Sequence, residues 1–142
     1  MTKIKTVVVD ASVLLKTIFN EEDSIKAEKL INQKDNCKLS ILVPDIFRYE
    51  FFQQVTRKAN EKIAQEGYSA LFERQISTIP LEVDIIKSAQ KIMARHPKIS
   101  FYDAAYHVLA IREDGEYLTA DREYARKARS RGSVTLLSEW TP

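Results

Sequence analysis

Short β-branched, apolar runs alternate with helix-patterned segments from one end of this 142-residue chain to the other. That alternation constrains the fold more than any other feature. The first run, Ile4-Lys5-Thr6-Val7-Val8-Val9, has the branched side chains that suit a buried strand. Similar runs occupy 39–43 (Leu-Ser-Ile-Leu-Val), 116–119 and 133–137. A weaker one at 79–83 contains Pro80, which cannot donate to a sheet ladder and suits an edge. A short helix is predicted after Asp10, and another over 24–33, where Ile25, Ala27, Leu30 and Ile31 share a face. Glu21-Glu22-Asp23 precede that helix, where acids meet the positive end of its dipole. A long helix is predicted over about 45–65, with Phe47, Phe51, Val55, Ala59 and Ile63 spaced every four residues. Gly67 is expected to separate it from a helix at 68–77, and Asp84 to cap the next, which His96-Pro97 ends. Helices over Ser100–Arg112 and Asp121–Arg131 complete the series, with Gly132 at the last C-cap. The pattern predicts an α/β fold: a three-layer α/β/α sandwich with a mainly parallel central sheet. The length fits one domain over 1–142.

Composition removes several classes of chemistry. Three glycines leave little room for phosphate-cradling loops, and no P-loop, G-x-G-x-x-G or G-x-S-x-G pattern occurs. Cys37 is the sole cysteine, so neither an internal disulfide nor a multi-cysteine metal site is available. Asp10 interrupts the first apolar run too early for a signal-peptide core, so a cytoplasmic protein is expected. No run approaches the ~18 apolar residues of a membrane span. The net charge of +2 does not by itself name a partner.

In parallel α/β folds, ligands bind at the carboxyl ends of the strands. Asp10 follows the first strand and Asp121 follows 116–119. Glu50 lies early in the long helix, and Asp103 near the start of the Ser100–Arg112 helix. If these helices point the same way, four carboxylates converge. Each also has a plainer reading: Asp10 and Asp121 as helix caps, Asp103 as the acid of a capping box with Ser100, Glu50 as a solvated helix residue. Converging carboxylates repel unless protonated or bridged by a cation. An all-oxygen donor set favours Mg²⁺ or Mn²⁺, whose natural reaction is phosphodiester hydrolysis. Ser12 and Thr119 are candidate assisting hydroxyls, although Thr119 reads more readily as an ordinary strand residue. His107 reads as a packed helix residue and His96 as a loop residue.

The segment 122–131 holds Arg122, Arg126, Lys127, Arg129 and Arg131 against Glu123, a net +4. Arg122, Arg126 and Lys127 are candidate RNA-backbone contacts beside Asp121, and Tyr124 a candidate for base stacking. Arg48 and Arg57 flank Glu50. The bulky residues Phe47, Phe51, Phe52, Tyr68, Leu71 and Phe72 exceed what one core face needs, so a homodimer is expected.

Four segments in order resemble the PIN-domain ribonucleases, and among them the VapC-type toxins. Val7-Val8-Val9-Asp10-Ala11-Ser12 resembles the family's strand and D-x-S. Pro44 followed by Glu50 in a Phe-rich helix resembles its second acid. Ser100-Phe101-Tyr102-Asp103-Ala104 resembles the third, and Leu118-Thr119-Ala120-Asp121-Arg122 its T-x-D element. The resemblance implies Mg²⁺- or Mn²⁺-dependent RNA cleavage by Asp10, Glu50, Asp103 and Asp121, assisted by Ser12 and Thr119. It also implies dimers and a small antitoxin partner. The alternatives are a PIN-type RNA-processing nuclease without an antitoxin, a non-catalytic RNA- or protein-binding module using 122–131, and a Mg²⁺ phosphohydrolase of small molecules.

Overall fold

A computed structural model describes residues 3–74 and 76–142, without the side chain of Phe72. Five strands form one sheet in the order β3-β2-β1-β4-β5, and every pairing is parallel. They are β1 (Lys5–Val9), β2 (Leu39–Pro44), β3 (Ser77–Ile79), β4 (Glu116–Thr119) and β5 (Val134–Leu136). Val7, Val8 and Val9 are all fully buried although alternate side chains point to opposite faces, so β1 is covered on both sides. Val8 lies beside Leu42 on β2 and Tyr117 on β4.

Seven α-helices join the strands: α1 (Ala11–Leu15), α2 (Ser24–Asp35), α3 (Ile46–Lys58), α4 (Glu61–Glu73), α5 (Val83–Arg95), α6 (Phe101–Arg112) and α7 (Arg122–Ala128). Right-handed crossovers put the helices leading toward β3 and those leading toward β5 on opposite faces. The α/β/α expectation is met. The strand order reverses between β1 and β4, which makes their carboxyl ends the switch point where this architecture binds ligands.

The local boundaries differ in five places. The segment 45–65 is two helices, because the chain turns extended at Ala59 (φ −129°, ψ 164°) and Asn60 Oδ1 accepts from the Ile63 N–H at 2.9 Å to start α4. Gly67 does not end a helix. It lies buried inside α4, where a Cβ would stand 2.8 Å from Ile18 Cδ1. Glu82, not Asp84, stands at the N-cap of α5. The helix after Asp121 stops at Ala128 and tightens into a 3₁₀ turn over Arg129–Arg131, with Gly132 at φ 72° completing it. Strand 79–83 forms instead over 77–79, as an edge, with Pro80 just outside it. Asp23 stands at the N-cap of α2 with φ 63° and makes no side-chain capping bond. Of the apolar excess, Phe47 and Phe51 belong to the core while Phe52 is 48% exposed; the Phe72 side chain lies outside the described residues.

Candidate active site

Asp10 leaves β1 and caps α1, a position that a short acid favours because its oxygen satisfies a free helix N–H. Its Oδ1 accepts from the Val13 N–H at 3.2 Å and from the Ser12 hydroxyl at 2.5 Å. Its Oδ2 accepts from the Tyr117 hydroxyl at 2.9 Å and the Thr119 hydroxyl at 3.0 Å. Only 4% of Asp10 is exposed, so these four donors replace the water a buried carboxylate would lose.

Asp103 comes to the same place from the first turn of α6. Ser100 caps that helix, accepting from the Asp103 N–H at 3.1 Å. Asp103 Oδ1 lies 2.9 Å from the Tyr117 hydroxyl, and Oδ2 lies 3.1 Å from Ser100 Oγ. Tyr117 thus stands between Asp10 and Asp103, with one proton for two acceptors. Glu50 projects from α3; its Oε2 accepts from the Tyr106 hydroxyl at 2.6 Å and its Oε1 from Gln54 at 3.1 Å. Asp121 caps α7, accepting from the Tyr124 N–H at 2.9 Å, and its own N–H donates to Thr119 Oγ at 3.0 Å.

The acids form a row: Glu50, then the Asp10–Asp103 pair, then Asp121. Burial pushes the Asp103 carboxyl up to about 6, with the charges of Asp10 and Asp121 adding to the rise and the Tyr117 hydroxyl opposing it. Burial also raises Glu50, opposed by the Tyr106 hydroxyl, while the charges of Asp10 and Asp103 push it further up. Burial leads both shifts, and the neighbouring carboxylates add repulsion between elements that meet only in the folded chain. Among the described residues, however, no three carboxylate, imidazole or thiol side chains already close on a common point.

Asp103 and Asp121 line a cleft of about 220 Å³ with Lys98, Ser100, Glu123, Tyr124 and Lys127. Lys127 therefore reaches the acids, although it also pairs with Glu123 at 2.8 Å. Arg122 pairs with Glu22 at 3.5 Å, and Arg126 is exposed. Tyr124 is not available to a base: it is 2% exposed and its hydroxyl lies 2.8 Å from His107 Nδ1. Tyr102, next to Asp103 in the chain, is 48% exposed. His107 is a satisfied core residue, its Nε2 lying 2.7 Å from the Gly132 carbonyl, and burial lowers its pKa.

Sequence reasoning missed Tyr106, Tyr117 and Lys98. A signal existed for the first, since Tyr106 follows Asp103 by one helical turn and so shares its face. Tyr117 sits in a short strand between Glu116 and Leu118, where nothing marks its hydroxyl as facing an acid. Thr119, read as an ordinary strand residue, is fully buried and links Asp10 to the Asp121 backbone.

A parallel α/β domain with an acid row at its topological switch point defines the class. Residues 7–130 match the PIN domain, and the chain belongs to that family. Among curated protein sequences none matches significantly. Solved structures with this fold include VapC20 of Mycobacterium tuberculosis, described as a sarcin-ricin loop cleaving toxin, at 14% identity and TM-score 0.69 over 85% of this chain and 94% of that one. VapBC2 from Rickettsia felis, bound to a promoter DNA fragment, matches at 12% identity and TM-score 0.72 over 92% and 98%. FitAcB from Neisseria gonorrhoeae matches at 14% identity and TM-score 0.67 over 94% and 99%.

Proposed function

We propose that this chain is a Mg²⁺- or Mn²⁺-dependent endoribonuclease and the toxin of a type II toxin–antitoxin pair. The observation that carries the reading is the Asp10–Asp103 pair at the switch point, flanked by Glu50 and Asp121. The residues fit a hard divalent cation: every donor is oxygen, and the row carries repulsion that a cation relieves. Asp10, Glu50, Asp103 and Asp121 would hold it. When bound, such an ion neutralises charge on a phosphoryl oxygen and makes water a stronger nucleophile.

The chain's own side chains do the rest. Ser12 and Thr119 fix the two oxygens of Asp10. Lys98 and Lys127 on the cleft wall supply charge for the RNA phosphates, and Tyr102 presents a ring on which an adjacent base stacks. In the net reaction, water oxygen forms the new bond to phosphorus as one ester P–O bond breaks.

An apolar cleft of about 320 Å³, lined by Val43, Phe47, Tyr68, Leu71 and Ile76, lies against α3, the helix that carries Glu50. It is the proposed seat of a small antitoxin, and the exposed Tyr49 and Phe52 on α3 are the proposed contact with a second copy. No helix among the described residues is long and apolar enough to cross a membrane, and the proposed setting is the cytoplasm. A purely non-catalytic role for α7 is less well supported, since it gives the Asp10–Asp103 pair no part.

Incubation of the purified chain with single-stranded RNA in Mn²⁺, Mg²⁺ or EDTA tests the activity. Cleavage in either ion that EDTA abolishes supports it; cleavage that persists in EDTA refutes it. Copurification with the product of an adjacent gene tests the antitoxin. A chain that cleaves RNA without such a partner is a processing nuclease.

A further inference from the structure

Two tyrosines join three of the four acids. Tyr106 on α6 and Tyr117 on β4 are fully buried, and their rings stack with centroids 5.8 Å apart and planes inclined by 29°. The stacked pair offers one hydroxyl to Glu50 and the other to both Asp10 and Asp103. A buried tyrosine needs one partner for its hydroxyl. Tyr117 has two carboxylates, brought from two different elements. Phenylalanine would fill the same space and keep the same stack, so the hydroxyls add nothing to packing that the rings do not already supply. What they add is a link between like charges that repel one another. Through Tyr117, the nearest oxygens of Asp10 and Asp103 are held no more than two hydrogen-bond lengths apart. Through Tyr106, Glu50 is tied to the helix that carries Asp103.

We propose that Tyr117 and Tyr106 are positioning residues that preset the spacing of Asp10, Asp103 and Glu50 for a divalent cation. The inference rests on the reading that these acids hold one. Without the Tyr117 hydroxyl, no donor bridges Asp10 and Asp103, and each keeps only the partners on its own side. Asp103, the more exposed of the two, then turns toward solvent, and the cation meets a scattered donor set.

The test is calorimetric titration of the full chain with Mn²⁺ alone, for the parent, Tyr117→Phe, Tyr106→Phe and Ile85→Val. Circular dichroism and thermal melts are recorded for each. Ile85→Val trims the core on α5, a helix that carries none of the four acids. Losing a partner that orients a metal ligand typically weakens metal binding about 10- to 100-fold. Tyr117→Phe is expected to fall in that range, and its RNA cleavage to recover as Mn²⁺ is raised. Tyr106→Phe, which frees one acid, is expected to lose less. If Tyr117→Phe does not fold, Tyr106→Phe carries the test alone. Parental Mn²⁺ affinity in folded Tyr-to-Phe variants overturns the inference, as does an equal loss in Ile85→Val, which would make the effect one of stability. In both cases a parent that binds Mn²⁺ and cleaves RNA leaves the nuclease reading standing. A parent that takes up no Mn²⁺ overturns that reading and this inference together.

Discussion

Replacing Asp103 by asparagine should make the metal-free protein more stable at neutral pH. A carboxyl raised from its ordinary 3.8 to about 6 costs the fold about 3 kcal/mol once ionised, at 1.36 kcal/mol per pH unit. Its partial exposure screens this to about 1–3 kcal/mol. Against that, Asp103 sits in the first turn of α6, where its charge meets the helix dipole, a favourable contact worth about 0.5 kcal/mol that asparagine forgoes. The net gain for Asp103→Asn is therefore about 0.5–2.5 kcal/mol at pH 7.5. The pH dependence fixes the cause. Because the folded-state value is raised, the native state binds more protons than the unfolded chain between about 4 and 6. The penalty is full above about pH 6 and gone below the ordinary value. Urea unfolding in EDTA at pH 7.5 and 4.5 reads it, and most of the gap between variant and parent should close at the lower pH. A variant less stable than the parent at pH 7.5, or a gap independent of pH, would refute the account of a carboxyl raised by burial and by its charged neighbours.

Burial lowers the pKa of His107, so its stabilising contribution is full above the ordinary 6.5 and is lost as pH falls below it. His107→Leu should flatten the parent's loss of stability between pH 7.5 and 5.5 in urea titrations. It should also cost about 1–3 kcal/mol at pH 7.5, because the Tyr124 hydroxyl and Gly132 carbonyl lose their partner. Gly115→Ala should lower stability by about 1–3 kcal/mol, since its Cβ would stand 2.7 Å from the Thr6 carbonyl oxygen, a backbone atom that cannot swing away; a thermal melt measures it. Arg126→Ala should reduce the salt slope of RNA binding by about 0.7, and Tyr102→Ala should weaken binding by about 1–3 kcal/mol with the slope unchanged, both by fluorescence anisotropy. Sedimentation at micromolar concentration should show a dimer that Phe52→Asp converts to monomer.

The fold was legible because strand and helix patterning here is local. Val7-Val8-Val9 and Leu39–Val43 announce buried parallel strands, and Ser100 and Asp10 announce helix starts that the backbone uses. Local patterning was silent where long-range packing decides. The four-residue apolar stripe is buried at Phe47, Phe51 and Val55 on α3, but it does not register the break at Ala59–Asn60, beyond which Ile63 is 42% exposed. Gly67 looked like a helix end, but its missing Cβ makes room for Ile18. The acids were legible as single residues at strand and helix ends. Their link through Tyr106 and Tyr117 was not, because a tyrosine within a helix or strand signals packing, and only the assembled sheet shows which way its hydroxyl points. Tyr124 shows the converse: an aromatic in a basic helix, turned inward by its bond to His107.

The central claim is that the carboxylates gathered at the ends of β1 and β4 are the cleaving machinery. Single-turnover cleavage of a labelled single-stranded RNA in Mn²⁺, comparing the parent with Asp10→Asn, tests it most directly. Asparagine keeps the shape at this buried position, removes the charge and turns one of the two acceptor oxygens into a donor, which the Tyr117 and Thr119 hydroxyls meet by rotating their own protons away. The account expects cleavage by the parent and a loss of about 100-fold or more in a variant that remains folded. Parental cleavage rates in folded Asp10→Asn would contradict it.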